Sequence, residues 1–193
     1  GRDQLADWRD SLRLDSAAAV KYNAENPAEE LMQVNQGDDF GWPYCYYAVP
    51  EHHLVLAPEY GGNGKTVGQC AQKKEPVATF PGHWAPNALF FYSGSSFPAR
   101  YRNGAFIAFH GSWNRAPEPQ AGFNVVFQPL NGRRASGKYE VFADGFAPNV
   151  GSGRATAAIG AHRPTGLAQG PDGALYVSDD AMGRIYKIVY TGK

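Results

Sequence analysis

The segment Phe106-Ile107-Ala108-Phe109-His110-Gly111-Ser112-Trp113-Asn114-Arg115 runs an apolar stretch straight into an imidazole, an indole and a guanidinium. Loops carried on a rigid sheet are where binding and chemistry concentrate. Packing alone has little use for Gly-Ser followed at once by Trp-Asn-Arg. A planar cation, an indole and an imidazole delivered to one strand end suit the grip of a flat anionic ligand, because the arginine fork bonds carboxylates two at a time. The plainer readings are a surface ion pair for Arg115, a structural hydrogen bond for His110 and an aromatic cap for Trp113. His83-Trp84 sits between Pro81-Gly82 and Ala85-Pro86; a proline-bracketed loop is stiff, which suits a binding wall or a structural corner. His52-His53 has no third ligand at metal spacing and reads as an exposed structural pair. Asp179-Asp180, at the end of an alternating run, reads as turn chemistry.

The elements that must position these residues are mostly strands. Ala88-Leu89-Phe90-Phe91-Tyr92 is a strand stopped by Ser93-Gly94, and residues 105–109 form a fully buried one. Asn124-Val125-Val126-Phe127 and Tyr139-Glu140-Val141-Phe142 follow at the spacing of an antiparallel meander. Residues 147–160 lack an apolar period and are expected to form a long loop. Near the end, Asp172-Gly173 is a hairpin signal between Gly166-Leu167-Ala168 and Leu175-Tyr176-Val177-Ser178-Asp179, and a further turn leads into Arg184-Ile185-Tyr186-Lys187-Ile188. That unit reads as one blade of a β-propeller, and the chain holds strands for about three blades. Three blades cannot close a ring. Helices are confined to the start: Asp15 or Ser16 caps one through Ala17-Ala18-Ala19-Val20, and Pro27 opens another through Ala28-Glu29-Glu30-Leu31. The expected organisation is thus a helical and loop lead-in over 1–36 and propeller blades over 37–193, in an all-β class with 23 glycines and 14 prolines to supply the turns.

The 193 residues carry 18 basic and 18 acidic side chains, a balance that leaves no electrostatic footprint for nucleic acid or an anionic membrane. No apolar run reaches the length of a membrane span, and no signal peptide is visible. The chain starts at Gly1 rather than Met, which reads as a trimmed piece of something longer. The two cysteines, Cys45 and Cys70, lie in loop-like sequence; they are compatible with one disulfide or with two separate buried thiols. A disulfide would place the protein in the periplasm or outside the cell.

Gly37-Asp38-Asp39-Phe40-Gly41-Trp42-Pro43-Tyr44-Cys45-Tyr46, Phe80-Pro81-Gly82-His83-Trp84-Ala85-Pro86, the 106–115 segment and the block from Arg163-Pro164 to Asp180 occur in one order. Together they resemble the C-terminal half of the glucose/sorbosone dehydrogenase family, soluble sugar dehydrogenases that use pyrroloquinoline quinone (PQQ), with His-Gly-Ser-Trp-Asn-Arg closest to the sorbosone and pyranose dehydrogenase branches. The resemblance implies a six-bladed propeller with PQQ flat at the mouth of its channel and Ca²⁺ bridging cofactor and protein. It implies Arg115, Arg163, His110 and Trp113 on the cofactor side and His83 and Trp84 at the sugar pocket. It also implies a loop-stapling Ca²⁺ at Glu30 and the Phe40 carbonyl, and that the cofactor's own Ca²⁺ is held by backbone carbonyls of the segment beginning Gly1-Arg2. Oxygen ligands of this mixed kind suit calcium. The family's general-base histidine lies on blades outside this sequence, so a catalytic ring needs the N-terminal half of the same propeller. The expected reaction is oxidation of an aldose or sorbosone-type sugar by hydride transfer to PQQ. The sequence has no Cys-x-x-Cys-His haem motif, so electrons are expected to pass to an external cytochrome or quinone. The alternative is a non-redox calcium-binding propeller, either a lactonase-like hydrolase or a carbohydrate- or protein-binding module.

Overall fold

A computed structural model describes Trp8 and residues 11–148 and 161–192. The chain divides into two compact units, Gly1–His83 and Trp84–Lys193. It is mostly β, and every strand pairing among the described residues is antiparallel.

In the first unit, helix α1 (Ser16–Glu25) starts where expected: the Asp15 carboxylate accepts the Ala18 amide at 2.8 Å, satisfying one of the orphan donors of the first turn. It ends at Asn26, whose extended backbone (φ −126°, ψ 149°) is the conformation a residue before proline prefers. The helix expected after Pro27 is not formed. Glu29–Leu31 is a strand, β1, and the unit continues with β2 (Cys45–Ala48), β3 (His53–Leu56) and β4 (Ala78–Phe80). β1 pairs with β4, setting Glu30 opposite Thr79, so a distant ladder overrides the local helical signal. The lead-in over 1–36 therefore holds a strand as well as a helix. β2 and β3 form a hairpin, and Cys45 is bonded to Cys70 across 25 residues. Closing such a loop stabilises the fold by about 3 kcal/mol in the chain-entropy view. Cys45, Leu54 and Cys70 make one small core, and Tyr46, Ala48, Val55 and Trp8 make another.

The second unit opens with β5 (Pro86–Phe90), β6 (Gly104–Phe109), β7 (Asn124–Asn131), a short β8 (Arg134–Ala135) and β9 (Glu140–Ala143). β6 lies between β5 and β7, and β9 adds to β7. All six residues of β6 are buried, as its unbroken apolar run predicts. Phe106, Ala108, Val125 and Phe127 share a face and join Tyr101 and Leu175 in the main core. Ring pairs such as Phe106–Phe142, at 4.6 Å with a 65° interplanar angle, add edge-to-face attraction to the burial. On the opposite face Ile107 and Val126 stand in register, also buried.

β5 begins at Pro86 and stops short of Tyr92, two residues earlier at each end than the sequence pattern suggests. Tyr92 leaves the strand because its hydroxyl is needed elsewhere: it donates to the Gly173 carbonyl at 2.7 Å and accepts the Ser96 and Phe97 amides. The terminal meander is β10 (Pro164–Gln169), β11 (Leu175–Asp179) and β12 (Arg184–Ile188), in that spatial order. Its Asp172-Gly173 turn forms as read. Gly173 has φ +78°, and a Cβ there would stand 2.4 Å from Ser96 Oγ, so the turn requires glycine. Of the loop expected over 147–160, residues 149–160 lie outside the described residues.

Candidate functional site

β6 ends at Phe109 and β7 begins at Asn124, which are register partners, so residues 110–123 form the connection between two central strands. Its base is cinched. The Ser112 amide donates to the Ala121 carbonyl at 2.9 Å, the Ala121 amide returns a bond to Ser112 Oγ at 2.9 Å, and that hydroxyl donates to Gln120 Oε1 at 2.7 Å. Towards the tip, Arg115 is only 7% exposed, and its Nε donates to the Pro119 carbonyl at 3.0 Å. Between these anchors Trp113 is turned outward, 81% exposed. Gly111 has φ +96°, and a Cβ there would lie 2.3 Å from the Phe123 ring, so only glycine allows the loop to close over that ring. Phe123 itself carries φ +56°, a conformation that costs a bulky side chain of order 1–3 kcal/mol and that clusters at functional sites.

Arg163, just ahead of β10, lies against this loop. Its guanidinium carbon sits 4.9 Å from the Phe123 ring centroid, a cation–π geometry. Nη1 donates to the carbonyls of Gly111 (2.9 Å) and His110 (3.2 Å) and reaches His110 Nδ1 at 3.3 Å. On the far side of the imidazole, Nε2 is 2.9 Å from Asp180 Oδ1. Burial depresses the Arg163 pKa while Asp180 works in the opposite sense; the side chain remains a cation. Burial pushes the Asp180 carboxyl up, but the bonds from His110 and Thr165 outweigh it and hold the group below the usual carboxylate range. Beneath this layer Asp179 is buried. It accepts the Arg163 amide at 2.8 Å and His162 Nδ1 at 2.5 Å, together with the amides of Ala181 and Met182. The turn role read for Asp179 is thus observed, and Asp180 does more than turn the chain.

The loop therefore places His110 beside Arg163, which rests on Phe123, presents Trp113 to solvent and holds Arg115 buried with its Nε on the Pro119 carbonyl. Such an arrangement can bind a planar carboxylate or a similar anion through a half-buried, stacked guanidinium. His83, at the end of the first unit, donates through Nε2 to the Asn23 carbonyl at 2.7 Å and has φ +66°. Trp84 belongs to the second unit. It packs edge-on against Phe109 at 5.2 Å, and its Nε1 is enclosed without a hydrogen-bond partner. Within the His52-His53 pair only His52 is exposed; His53 is half-buried in β3, with Nε2 enclosed and unpartnered.

Glu30, on β1, has one carboxyl oxygen, Oε1, buried without a partner. Burial, and then the charges of Glu75 and Glu29, push its pKa up to about 7. Phe40 and Glu30 both stand where the chain is tied to the segment leading into β4. The Lys74 amide donates to the Asp39 carbonyl at 2.8 Å, and the Val77 amide donates to the Leu31 carbonyl at 2.8 Å. Among the described residues no three side chains of His, Cys, Asp or Glu converge on one point. Gly1 and Arg2 lie outside the described residues.

Phe123, Asp180, Gln120 and Glu75 were not singled out from sequence as parts of a site. Phe123 falls one residue before a strand and looks like its start. The only local signal for it is the glycine at 122, which opens the left-handed turn.

A family model described as TrAA12-like matches residues 8–191. The pyrroloquinoline quinone-dependent pyranose dehydrogenase of Coprinopsis cinerea is 28% identical over 194 residues, covering 86% of this chain and 25% of that protein. The holo form of the pyranose dehydrogenase PQQ domain from Coprinopsis cinerea superposes with a TM-score of 0.63 at 25% identity, covering 86% of this chain and 45% of that one. The iodide structure of the Trichoderma reesei carbohydrate-active enzymes family AA12 protein gives a TM-score of 0.67 at 20% identity, with 85% and 44% covered. The chain thus spans a quarter of the curated Coprinopsis relative and under half of each solved chain. Among the described residues no helix is long and apolar enough to cross a membrane.

Proposed function

The chain belongs to the TrAA12-like family, and from this membership we propose that it is one portion of a PQQ-dependent sugar dehydrogenase, oxidising an aldose or sorbosone-type sugar. The observation that carries the reading is the stacked, half-buried Arg163 guanidinium held against the 110–123 loop. PQQ, when bound, supplies the two-electron acceptor for the oxidation. Arg163 would take one of its carboxylates and the outward Trp113 would cover its rings; Arg115, bonded to Pro119, keeps the loop that carries Trp113 in shape. His110 faces the same group through Arg163. His83 and Trp84 would contribute to the sugar side.

Calcium fits Glu30. A buried carboxyl oxygen without a partner, disfavoured as an anion by burial and by two neighbouring carboxylates, is what a hard cation would relieve. The Phe40 carbonyl would complete that staple, and Gly1 and Arg2 would hold the cofactor's calcium. The general base and the remaining blades of a six-bladed ring would come from the N-terminal half of the same propeller, and electrons would leave to an external cytochrome or quinone. The Cys45–Cys70 bond supports an oxidising setting, the periplasm or the cell exterior.

The test adds PQQ and Ca²⁺ to the intact protein and follows dye reduction with a panel of aldoses. R163A is expected to weaken PQQ binding about tenfold to a hundredfold, the effect of losing charge-assisted hydrogen bonds. No PQQ binding with every loop present would overturn the reading in favour of a non-redox calcium propeller.

A further inference from the structure

We propose that Asp180 and His110 act as a positioning pair that sets Arg163 in its ligand-binding orientation by fixing the tautomer of His110. The proposal rests on the reading that Arg163 binds the quinone cofactor. Arginine has donors and no acceptor, so Nη1 at 3.3 Å from His110 Nδ1 is a hydrogen bond only if Nδ1 carries the lone pair. The opposite nitrogen decides this. Nε2 faces Asp180 Oδ1 at 2.9 Å, and an ionised carboxylate only accepts, so the proton sits on Nε2. With the proton on Nδ1, two donors would meet and Arg163 would lose one of the contacts that hold its long side chain. The carbonyls of His110 and Gly111 accept from the same Nη1, and the Phe123 ring supports the guanidinium plane. These contacts fix where Nη1 sits, and the imidazole adds an acceptor that can be switched. Of the other titratable groups nearby, Asp179 and His162 are bonded to each other, which leaves Asp180 as the carboxylate that addresses His110.

The experiment uses the intact protein, with PQQ affinity read by fluorescence quenching and the His110 tautomer read by ¹⁵N NMR of the imidazole. D180A removes the acceptor and is expected to weaken PQQ binding about five- to tenfold while moving the imidazole signals towards a tautomer mixture. D180N keeps an acceptor oxygen and should recover most of the affinity. H110N places an amide oxygen where Nδ1 stands, an acceptor that needs no tautomer. It should bind PQQ within about threefold of wild type, and in its background D180A should change affinity less than twofold. Additive effects of D180A and H110N, or an imidazole spectrum unmoved by D180A, would overturn the positioning pair. If the wild type binds no PQQ, the cofactor reading fails by itself, and the imidazole spectra then decide the pair alone.

Discussion

Arg115 and Arg163 differ in the company their guanidinium groups keep. Arg115 is buried in its own loop and bonded to Pro119, whereas Arg163 is stacked on an aromatic ring at the junction of two sheets' connecting segments, with a histidine and an acid arranged around it. The residue that secures the second arrangement from below is Asp179. Its side chain is fully buried and accepts four hydrogen bonds, including the Arg163 backbone amide. Burial pushes its carboxyl up, yet the donated bonds outweigh burial and hold it below the usual carboxylate range. D179N, whose amide cannot accept as many bonds, is expected to cost about 3 kcal/mol in urea unfolding at neutral pH. The sign of the pH effect follows from the depressed value. The wild-type contribution is complete above the ordinary carboxylate range and is lost as pH falls through the lowered one. The stability gap between wild type and D179N should therefore narrow on acidification; a gap that stays constant down to pH 2 or so would show that the charge is not what Asp179 contributes.

At the scale of elements, the features legible in the sequence are those written in neighbouring residues. The buried run of β6, the cap of α1 and the Asp172-Gly173 turn with its alternating flanks all formed where the local pattern puts them. The HGSWNR segment is likewise a loop on a buried strand, as read. What the pattern could not show depends on residues far apart in the chain. β1 exists because Ala78–Phe80 offers it a ladder, and Arg163 is placed by the Phe123 ring and the carbonyls of His110 and Gly111, all on a distant loop. β1, a strand of only three residues, also holds the calcium candidate, Glu30. Calcium should raise the melting temperature of the wild type above that in chelator. E30Q should abolish the calcium response and, because an uncharged amide avoids the penalty of a buried carboxylate, should melt no lower than the chelated wild type at pH 8. Differential scanning calorimetry in calcium and in chelator reads both effects, and an undiminished calcium response in E30Q would place the ion elsewhere.

For the whole molecule, the telling feature is a sheet that is apolar on both faces. Opposite the main core, Leu89, Ile107, Val126 and Val141 stand in register across four strands. The central pair is buried, while Leu89 and Val141 at the ends are 48% and 50% exposed. A blade covered on one face needs only its own core; a blade apolar on both needs neighbours on both sides. The chain covers under half of each solved relative, so in our reading the rest of the same propeller supplies further blades. Burying a side chain the size of Leu or Val is worth about 1.5–3 kcal/mol, enough that exposed ends of such a row favour association when the remaining blades are absent. Purified residues 1–193 should therefore self-associate with rising concentration in sedimentation velocity and bind an apolar dye. Lysine at both ends of the row, in L89K/V141K, should shift the chain towards monomer without lowering its melting temperature, because both positions already face outward. A wild-type 1–193 chain that is monodisperse, melts cooperatively and binds PQQ unaided would contradict the half-propeller reading. It would then require the two-faced sheet to be satisfied within these residues.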